Sequence, residues 1–187
     1  MLAAPLTRVC VFCGSSPGRE PHYLALATAL GTLLAQAGIE VVYGGGRIGL
    51  MGALADAALA AGGSVIGVIP HALAVREVAH QDLTQLHVVE TMHERKARMA
   101  ELSDAFVALP GGFGTFEEFC EVVTWVQLGI IAKPTILVNA KGFYDPLIAM
   151  FDRAHAEGFI NDQGRAIVTL VDSIDELVPR LLSNAAE

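Results

Sequence analysis

The sequence is poor in positive charge and in long apolar segments, and each deficit excludes a class of protein. Its 12 lysine and arginine residues face 20 acidic residues, which gives a formal net charge of −8. This charge disfavours non-specific binding to nucleic acid or to a membrane surface, so any anion site has to be a local cationic pocket. No uninterrupted apolar run reaches the ~18 residues of a membrane span, and the first residues lack the basic and apolar parts of a signal peptide. We therefore expect a cytoplasmic protein that binds neither nucleic acid nor membrane.

Cysteine is also rare, and the positions of the three cysteines argue against a disulfide or a metal site. Cys10 and Cys13 form a C-x-x-C pattern, but residues three apart on a strand point to opposite faces and cannot readily bind one metal ion. Cys120 lies in an apolar helical pattern. All three are predicted to be buried apolar side chains in a reducing compartment.

Apolar residues are abundant, at 53% of 187, and they alternate between strand and helix patterns. No linker rich in proline or serine divides the chain, so we predict one domain over residues 1–187. Strand patterns occupy 8–13, 39–43, 64–69, 86–89, 105–108 and 134–138; helical patterns occupy 23–37, 91–103, 119–128 and 144–156, and a further helix ends at residue 61. Short glycine turns between them imply right-handed crossovers. The predicted fold class is α/β, a Rossmann-like parallel sheet with helices on both faces, which binds ligands beyond the carboxyl ends of its strands.

The most informative stretch is a glycine turn between an apolar strand and a helix. Gly111, Gly112 and Gly114 carry no side chains that would block backbone N–H groups at the helix start, where the helix dipole favours an anion. A phosphate group would fit this turn. Thr115 and Glu118 also match an S/T-x-x-E capping box, in which each side chain satisfies a backbone N–H group of the first helical turn. The spacing alone leaves both interpretations open.

Helical periodicity singles out one arginine. On a helix over 91–103, Arg95 lies on the apolar stripe with Met99, whereas Arg98 lies nearer Glu94 and can pair with it in solvent. A buried guanidinium group needs an anionic partner or ligand. Arg95 is therefore predicted to be functional.

The helix after the glycine turn places one carboxylate beside its apolar stripe. Phe119 and Val122 belong to that stripe, Glu117 points outward, and Glu118 lies at the edge of the stripe. Thr124 lies on the opposite side of the helix. Glu118 is therefore predicted to be held in place by the fold.

Two sequence blocks resemble the Lonely Guy family, whose members are often mislabelled lysine decarboxylases. Residues 110–118, PGGFGTFEE, are similar to the family's PGGxGTxxE signature, and residues 91–99, TMHERKARM, are similar to its MHxRKxxM segment. The resemblance spans nearly the whole chain. It implies hydrolysis of the N-glycosidic bond of nucleoside 5′-monophosphates, with cytokinin nucleotides and often AMP as substrates and with a free base and ribose 5-phosphate as products.

The resemblance also assigns roles to individual positions. Arg95 and Glu118 match the family's catalytic pair. The positions that match nucleotide contacts are Glu77, Arg95, Lys96, Gly111, Gly112, Phe113, Gly114, Thr115, Phe116, Glu117, Glu118 and Thr124. Because the pKa of arginine lies above ~12, we assign Arg95 to electrostatic stabilisation and Glu118 to orienting water or a ribose hydroxyl.

A nucleoside 5′-monophosphate is thus the expected small-molecule partner, and we expect neither a cofactor nor a metal ion. The resemblance further implies a homodimer, because comparably short members of the family pair through helices that border the site. Phe113 and Phe116 occupy variable places of the signature, and region 70–90 follows the family less closely than the two blocks do. Base preference therefore stays open.

Two remaining patterns have weak functional interpretations. Gly44-x-Gly46-x-x-Gly49 matches the dinucleotide fingerprint, yet it follows the second strand and no acidic residue ends the next one, which argues against NAD. The irregular region 70–84 is predicted to form a rim or lid. His80 and His87 lack a metal-ligand spacing and are interpreted as solvated or capping histidines.

Two other functions compete with the hydrolase. A pyridoxal-phosphate decarboxylase requires a lysine for its Schiff base, and the chain contains only Lys96, Lys133 and Lys141 and no second domain for the cofactor. A non-catalytic carrier of nucleotides or cofactors is the stronger alternative, because related folds bind phosphorylated ligands without cleaving them. The pairing of Arg95 with Glu118 favours an enzyme.

Overall fold

The computed structural model describes residues 6–74 and 79–184, and its strands form a parallel sheet of seven. The strands are β1 (Arg8–Phe12), β2 (Glu40–Tyr43), β3 (Val65–Pro70), β4 (Gln85–Val89), β5 (Ala105–Ala108), β6 (Thr135–Val138) and β7 (Val168–Val171). The helices are α1 (Pro21–Gln36), α2 (Gly49–Ala60), α3 (His71–Ala74), α4 (Met92–Leu102), α5 (Phe113–Gln127), α6 (Asp145–Ala156), α7 (Asp162–Ala166) and α8 (Leu177–Asn184). In space the strands lie in the order β4-β3-β2-β1-β5-β6-β7. This order confirms the predicted Rossmann-like α/β class.

Both faces of the central strands are buried, which is why β1, β3, β5 and β6 are almost continuously apolar, whereas the edge strand β4 is largely exposed. Val9 and Val11 of β1 face one core, while Cys10 and Phe12 face the other, because successive residues of a strand point to opposite sides. Helices α1, α2 and α8 cover the first core, and α4, α5 and the start of α6 cover the second. The predicted placement of helices on both faces is confirmed.

The cysteines follow the same alternation. Cys10 lies in one core and Cys13 in the other, so the prediction that their side chains point to opposite faces is confirmed. All three cysteines are free thiols. Cys120 is only half-buried, and here the prediction of a buried side chain was wrong.

The order of the strands reverses direction at β1, and this reversal creates the crevice in which such folds bind ligands. From β1 the chain adds β2, β3 and β4 on one side, and then β5, β6 and β7 on the other. The turns after β1 and β5 therefore lie side by side, and the Gly14 N–H donates to the Pro110 carbonyl at 3.2 Å. The glycine turn of residues 111–114 thus stands at the switch point.

Two local features differ from the predictions. Helix α5 begins at Phe113, earlier than the periodicity suggested, and the region predicted to be irregular after β3 contains the short helix α3. In the part of the chain that the structure describes, no helix is long and apolar enough to cross a membrane.

Candidate active site

The start of α5 is an open cradle of backbone N–H groups. Gly112 is the N-cap residue, and no side chain caps the helix there. A Cβ atom at Gly112 or Gly114 would meet nothing within 4 Å, so the space in front of both glycines is open. A Cβ atom at Gly111, by contrast, would lie 2.1 Å from the Thr115 hydroxyl, which packs beneath the turn. Because no side chain accepts hydrogen bonds from the backbone N–H groups of the first turn of α5, these groups are suited to binding an anion.

The capping-box interpretation of Thr115 and Glu118 is therefore wrong. Both residues lie inside α5, and their side chains are buried. The helix starts two residues before Thr115, because Gly112 already has the extended backbone of an N-cap. The carboxylate of Glu118 therefore does not cap the start of α5, and its partner lies on another helix.

That carboxylate forms a buried ion pair with Arg95. The Arg95 Nη1 donates to Glu118 Oε1 at 2.6 Å, and Arg95 and Glu118 are only 8% and 7% exposed. Arg95 Nε also donates to the Val68 carbonyl of β3 at 3.1 Å. Burial raises the pKa of the Glu118 carboxyl group, and the adjacent Arg95 opposes that rise. The prediction that Arg95 lies buried against an anionic partner is confirmed by this geometry.

Gly44, at the end of β2, makes room for the guanidinium group. A Cβ atom at Gly44 would lie 2.1 Å from Arg95 Nη2 and 2.7 Å from the Met51 methyl group. Gly49 is needed for another close approach, because it has φ +65° and a Cβ atom there would lie 2.3 Å from the Ser15 carbonyl carbon. Gly44 and Gly49 of the G-x-G-x-x-G pattern are thus explained by packing around Arg95 and around the turn after β1.

A cavity of about 260 Å³ opens between the ion pair and the start of α5. Six of the predicted site residues line it: Arg95, Gly112, Phe113, Gly114, Thr115 and Glu118. The sequence interpretation missed the other lining residues, which are Cys13, Gly14, Ser15, Met51, Leu73 and Met92. For Gly14 and Ser15 a signal was present, because their turn follows β1 at the same edge of the sheet.

Comparison with known proteins agrees with the two motif blocks. Residues 51–181 match the family described as possible lysine decarboxylases. The chain is 50% identical over 176 residues to cytokinin riboside 5′-monophosphate phosphoribohydrolase of Rhodococcoides fascians, and the match covers 94% of this chain and 89% of that protein. It is 49% identical over 174 residues to the phosphoribohydrolase LOG1 of Arabidopsis thaliana, with 93% and 82% covered. The chain belongs to the Lonely Guy family.

Solved structures show how widely this fold is shared. The molybdenum cofactor carrier protein of Chlamydomonas reinhardtii superposes with a TM-score of 0.74 at 19% identity, covering 97% of this chain and 99% of the carrier. The molybdenum cofactor binding protein of Rippkaea orientalis gives a TM-score of 0.71 at 22% identity, with 95% and 96% covered. These likenesses concern the fold alone, because one fold can carry different functions.

The other described positions that match the Lonely Guy nucleotide contacts are not among the residues that line this cavity. Gly111 lines a neighbouring cavity of about 300 Å³, which adjoins the first at Gly14, Ser15 and Gly112. The ring of Phe116 packs near Phe143, with 6.4 Å between centroids. Glu77 lies outside the described residues.

Thr124 is exposed on α5, and its hydroxyl donates to the Cys120 carbonyl at 2.8 Å. Thr124 is not among the described residues that line the cavity. Its predicted contact with a nucleotide therefore stays a prediction.

Lys96 is buried and neutralised by two carboxylates of α5. Its ammonium group donates to Glu117 and lies 3.0 Å from Glu121 Oε2. Burial lowers the pKa of Lys96, but the hydrogen bonds to Glu117 and Glu121 outweigh that effect, so the pKa is raised overall. This cluster ties α4 to α5 next to the Arg95–Glu118 pair.

Outside the cavity, the predicted partner of Arg98 was wrong, and the prediction for His80 was right only in part. Arg98 donates to Glu101 at 2.6 Å and not to Glu94, whose carboxylate accepts the Glu90 N–H at the start of α4. His80 is buried, and its Nε2 lies 2.8 Å from Asp56 Oδ1, so it is not a solvated histidine. Its Nδ1 accepts the Asp82 N–H at 3.2 Å, which fits the capping role predicted as the alternative. Glu94 and Glu101 both lie within one turn of Arg98 on α4, so spacing alone could not choose between them, whereas Asp56 lies on another helix, 24 residues from His80.

Proposed function

We propose that this protein hydrolyses the N-glycosidic bond of nucleoside 5′-monophosphates, including cytokinin riboside 5′-monophosphates and AMP, to a free base and ribose 5-phosphate. One observation carries the proposal: the buried Arg95–Glu118 pair and the uncapped start of α5 line the same cavity. The sequence relatives at about half identity are phosphoribohydrolases by name, which favours this function over that of a non-catalytic carrier. In the reaction, water adds a hydroxyl group to C1′ of the ribose and a proton to the departing base.

In this mechanism the N–H groups at the start of α5 hold the 5′-phosphate. The helix dipole and the open space at Gly112 and Gly114 support this assignment. A phosphate fixed at this point places the ribose towards Glu118, because both groups border one cavity. Binding energy from the phosphate then orients the sugar for attack.

The ion pair acts at the glycosidic bond. Cleavage develops oxocarbenium charge on the ribose and negative charge on the base. The Glu118 carboxylate stabilises the former and orients the attacking water or a ribose hydroxyl. Arg95 stabilises the negative charge of the base by electrostatics and hydrogen bonding, since a guanidinium group is a poor proton donor.

The decisive experiment is to incubate the purified protein with AMP and to separate the products by chromatography. We expect adenine and ribose 5-phosphate in equal amounts. AMP that is bound but recovered intact would support the carrier and contradict the hydrolase. Isopentenyladenosine 5′-monophosphate in a parallel reaction measures the base preference.

Gly44→Ala tests whether the space at Gly44 positions the guanidinium group of Arg95. The added methyl group would push the guanidinium group away from Glu118, and a misplacement of ~1 Å at a reacting centre can cost ~100-fold in rate. We expect kcat/KM for AMP to fall by roughly 10- to 100-fold for that reason. Gly62→Ala, in the open turn after α2, is the control, because it strains a glycine at φ +81° far from the pair. Equal activity of the two variants would contradict the proposed role of Gly44.

We also propose a homodimer that covers apolar residues around the site. Phe113 is 92% exposed at the mouth of the cavity, and Met92, Leu128 and Ile130 are exposed as well. Phe113 lies at the start of α5, and Leu128 and Ile130 follow its end, so a partner that packs along this helix would cover all three. A second chain packed there would also approach Thr124.

Light scattering at micromolar concentration tests the dimer, and we expect twice the chain mass of 19.7 kDa. Ile130→Glu should shift the mass towards the monomer and lower the activity, because a charge would be buried in the interface. Met150→Glu, on the exposed side of α6, is the control. A monomeric mass together with full activity would remove the dimer from the mechanism.

The cellular location and the domain organisation are proposals of the same kind. Three free thiols, two of them buried in opposite cores, suit a reducing compartment, and we place the protein in the cytoplasm on that basis. The organisation of residues 1–187 as one domain remains our prediction.

A further inference from the structure

The carbonyl group that precedes the anion-binding turn is held by a buried tyrosine. The Tyr144 hydroxyl, at the start of α6, donates to the Leu109 carbonyl at 2.7 Å. Tyr144 is 1% exposed, and burial raises the pKa of its hydroxyl, so the group stays protonated and remains a donor. Leu109 is the last residue before the Pro-Gly-Gly turn.

Tyr144 is itself fixed on several sides. Its backbone N–H donates to Asn139 Oδ1 at 2.7 Å, and Asn139 Nδ2 donates to Asp145 Oδ1 at 2.8 Å. The ring packs edge-on against Phe116, on the first turns of α5, with 6.3 Å between centroids. One side chain thus contacts the chain both before and after the glycine turn.

The other backbone contacts of the turn come from β1. The Leu109 N–H donates to the Phe12 carbonyl at 2.9 Å, and the Pro110 carbonyl accepts from Gly14 at 3.2 Å. These bonds hold the turn from the side of the sheet, whereas Tyr144 holds it from the side of α6. Since Gly111, Gly112 and Gly114 have no side chains of their own to fix the backbone, such outside contacts set where their N–H groups point.

We propose that Tyr144 is a positioning residue for the phosphate-binding turn. Its hydroxyl fixes the Leu109 carbonyl, and its ring fixes α5 at Phe116, so that the N–H groups between them are held in the geometry that binds a 5′-phosphate. The kinetic part of this inference rests on the proposed function. Replacing Tyr144 should therefore affect only substrates that carry the 5′-phosphate.

The test compares Tyr144→Phe with Tyr43→Phe, using AMP and adenosine as substrates. Both variants remove one buried hydroxyl that donates to a backbone carbonyl, because Tyr43 donates to Gly46 at 3.1 Å. In Tyr144→Phe we expect kcat/KM for AMP to fall about 10-fold and that for adenosine to stay unchanged, since adenosine makes no use of the turn. In Tyr43→Phe the ratio of the two values should equal that of the wild type.

If the ratio of kcat/KM for AMP to kcat/KM for adenosine is unchanged in Tyr144→Phe, the inference is overturned. A loss of folded protein would lower both activities equally and leave this ratio as it is. A second measurement does not depend on catalysis: the affinity for inorganic phosphate, taken from the rise in melting temperature with phosphate concentration. We expect it to fall about 10-fold in Tyr144→Phe and not in Tyr43→Phe. If wild-type protein cleaves no AMP, the proposed function fails and the phosphate titration still decides the role of Tyr144. Equal phosphate affinities, or no phosphate binding by the wild type, would overturn that role.

Discussion

Glu118→Gln is expected to lower kcat/KM for AMP by at least ~100-fold while the protein stays folded. Glutamine has nearly the same shape and can still accept a hydrogen bond from Arg95, which donates to the carboxylate at 2.6 Å. What it loses is the negative charge that stabilises an oxocarbenium ion. Steady-state kinetics on AMP, with circular dichroism to check the fold, measure the effect.

Arg95→Ala should cost at least ~100-fold as well, because the charge that stabilises the departing base is lost. Removing one partner of a buried pair also destabilises the fold by about 3–5 kcal/mol, so activity has to be measured well below the melting temperature. Glu121→Gln is the matched control, since this carboxylate lies one turn further along α5 and pairs with Lys96 at 3.0 Å.

Near-normal turnover by Glu118→Gln would remove Glu118 from the mechanism and leave it as the structural partner of Arg95.

Adenosine is expected to react at least ~100-fold more slowly than AMP in kcat/KM, although the bond that is cleaved is identical. The reason is the open start of α5, where backbone N–H groups can hold the 5′-phosphate in charge-assisted hydrogen bonds. Because the bound phosphate orients the sugar, its loss should lower kcat as well as raise KM. The measurement is kcat/KM for AMP, adenosine and isopentenyladenosine 5′-monophosphate on one enzyme preparation.

Gly112→Val and Gly114→Val should reproduce this defect with AMP. A Cβ atom at either position meets nothing within 4 Å, so the substitutions leave the fold intact and occupy only the space where the phosphate would lie. Adenosine provides the internal control, because its slow reaction should be unaffected in both variants. Equal kcat/KM for adenosine and AMP in the wild type would falsify the phosphate site and leave the glycine turn as plain strand-to-helix geometry.

The fold could be predicted from the sequence because its pattern is local and repetitive. Most strands are apolar runs, and glycine turns separate β1, β2 and β5 from the helices that follow them. Buried parallel sheets require that composition on both faces, and right-handed crossovers leave few other topologies. The boundary of α5 was less certain, since Thr115 and Glu118 imitate a capping box that the backbone at Gly112 makes unnecessary.

The sequence by itself also determined that Arg95 lies on an apolar helix face, because periodicity reports which side of a helix a residue occupies. It left open whether Thr115 and Glu118 cap the start of α5, and the backbone at Gly112 decided that question.

Only the tertiary structure decided what each side chain meets. Arg95 and Glu118 are 23 residues apart on different helices. Gly44, which follows β2, leaves the space that the guanidinium group of Arg95 occupies. Tyr144 reaches Leu109 across 35 residues. These partners depend on the order of the strands in the sheet, which brings the turns after β1, β2 and β5 to one edge. Spacing along the chain carries no information about distances across that edge.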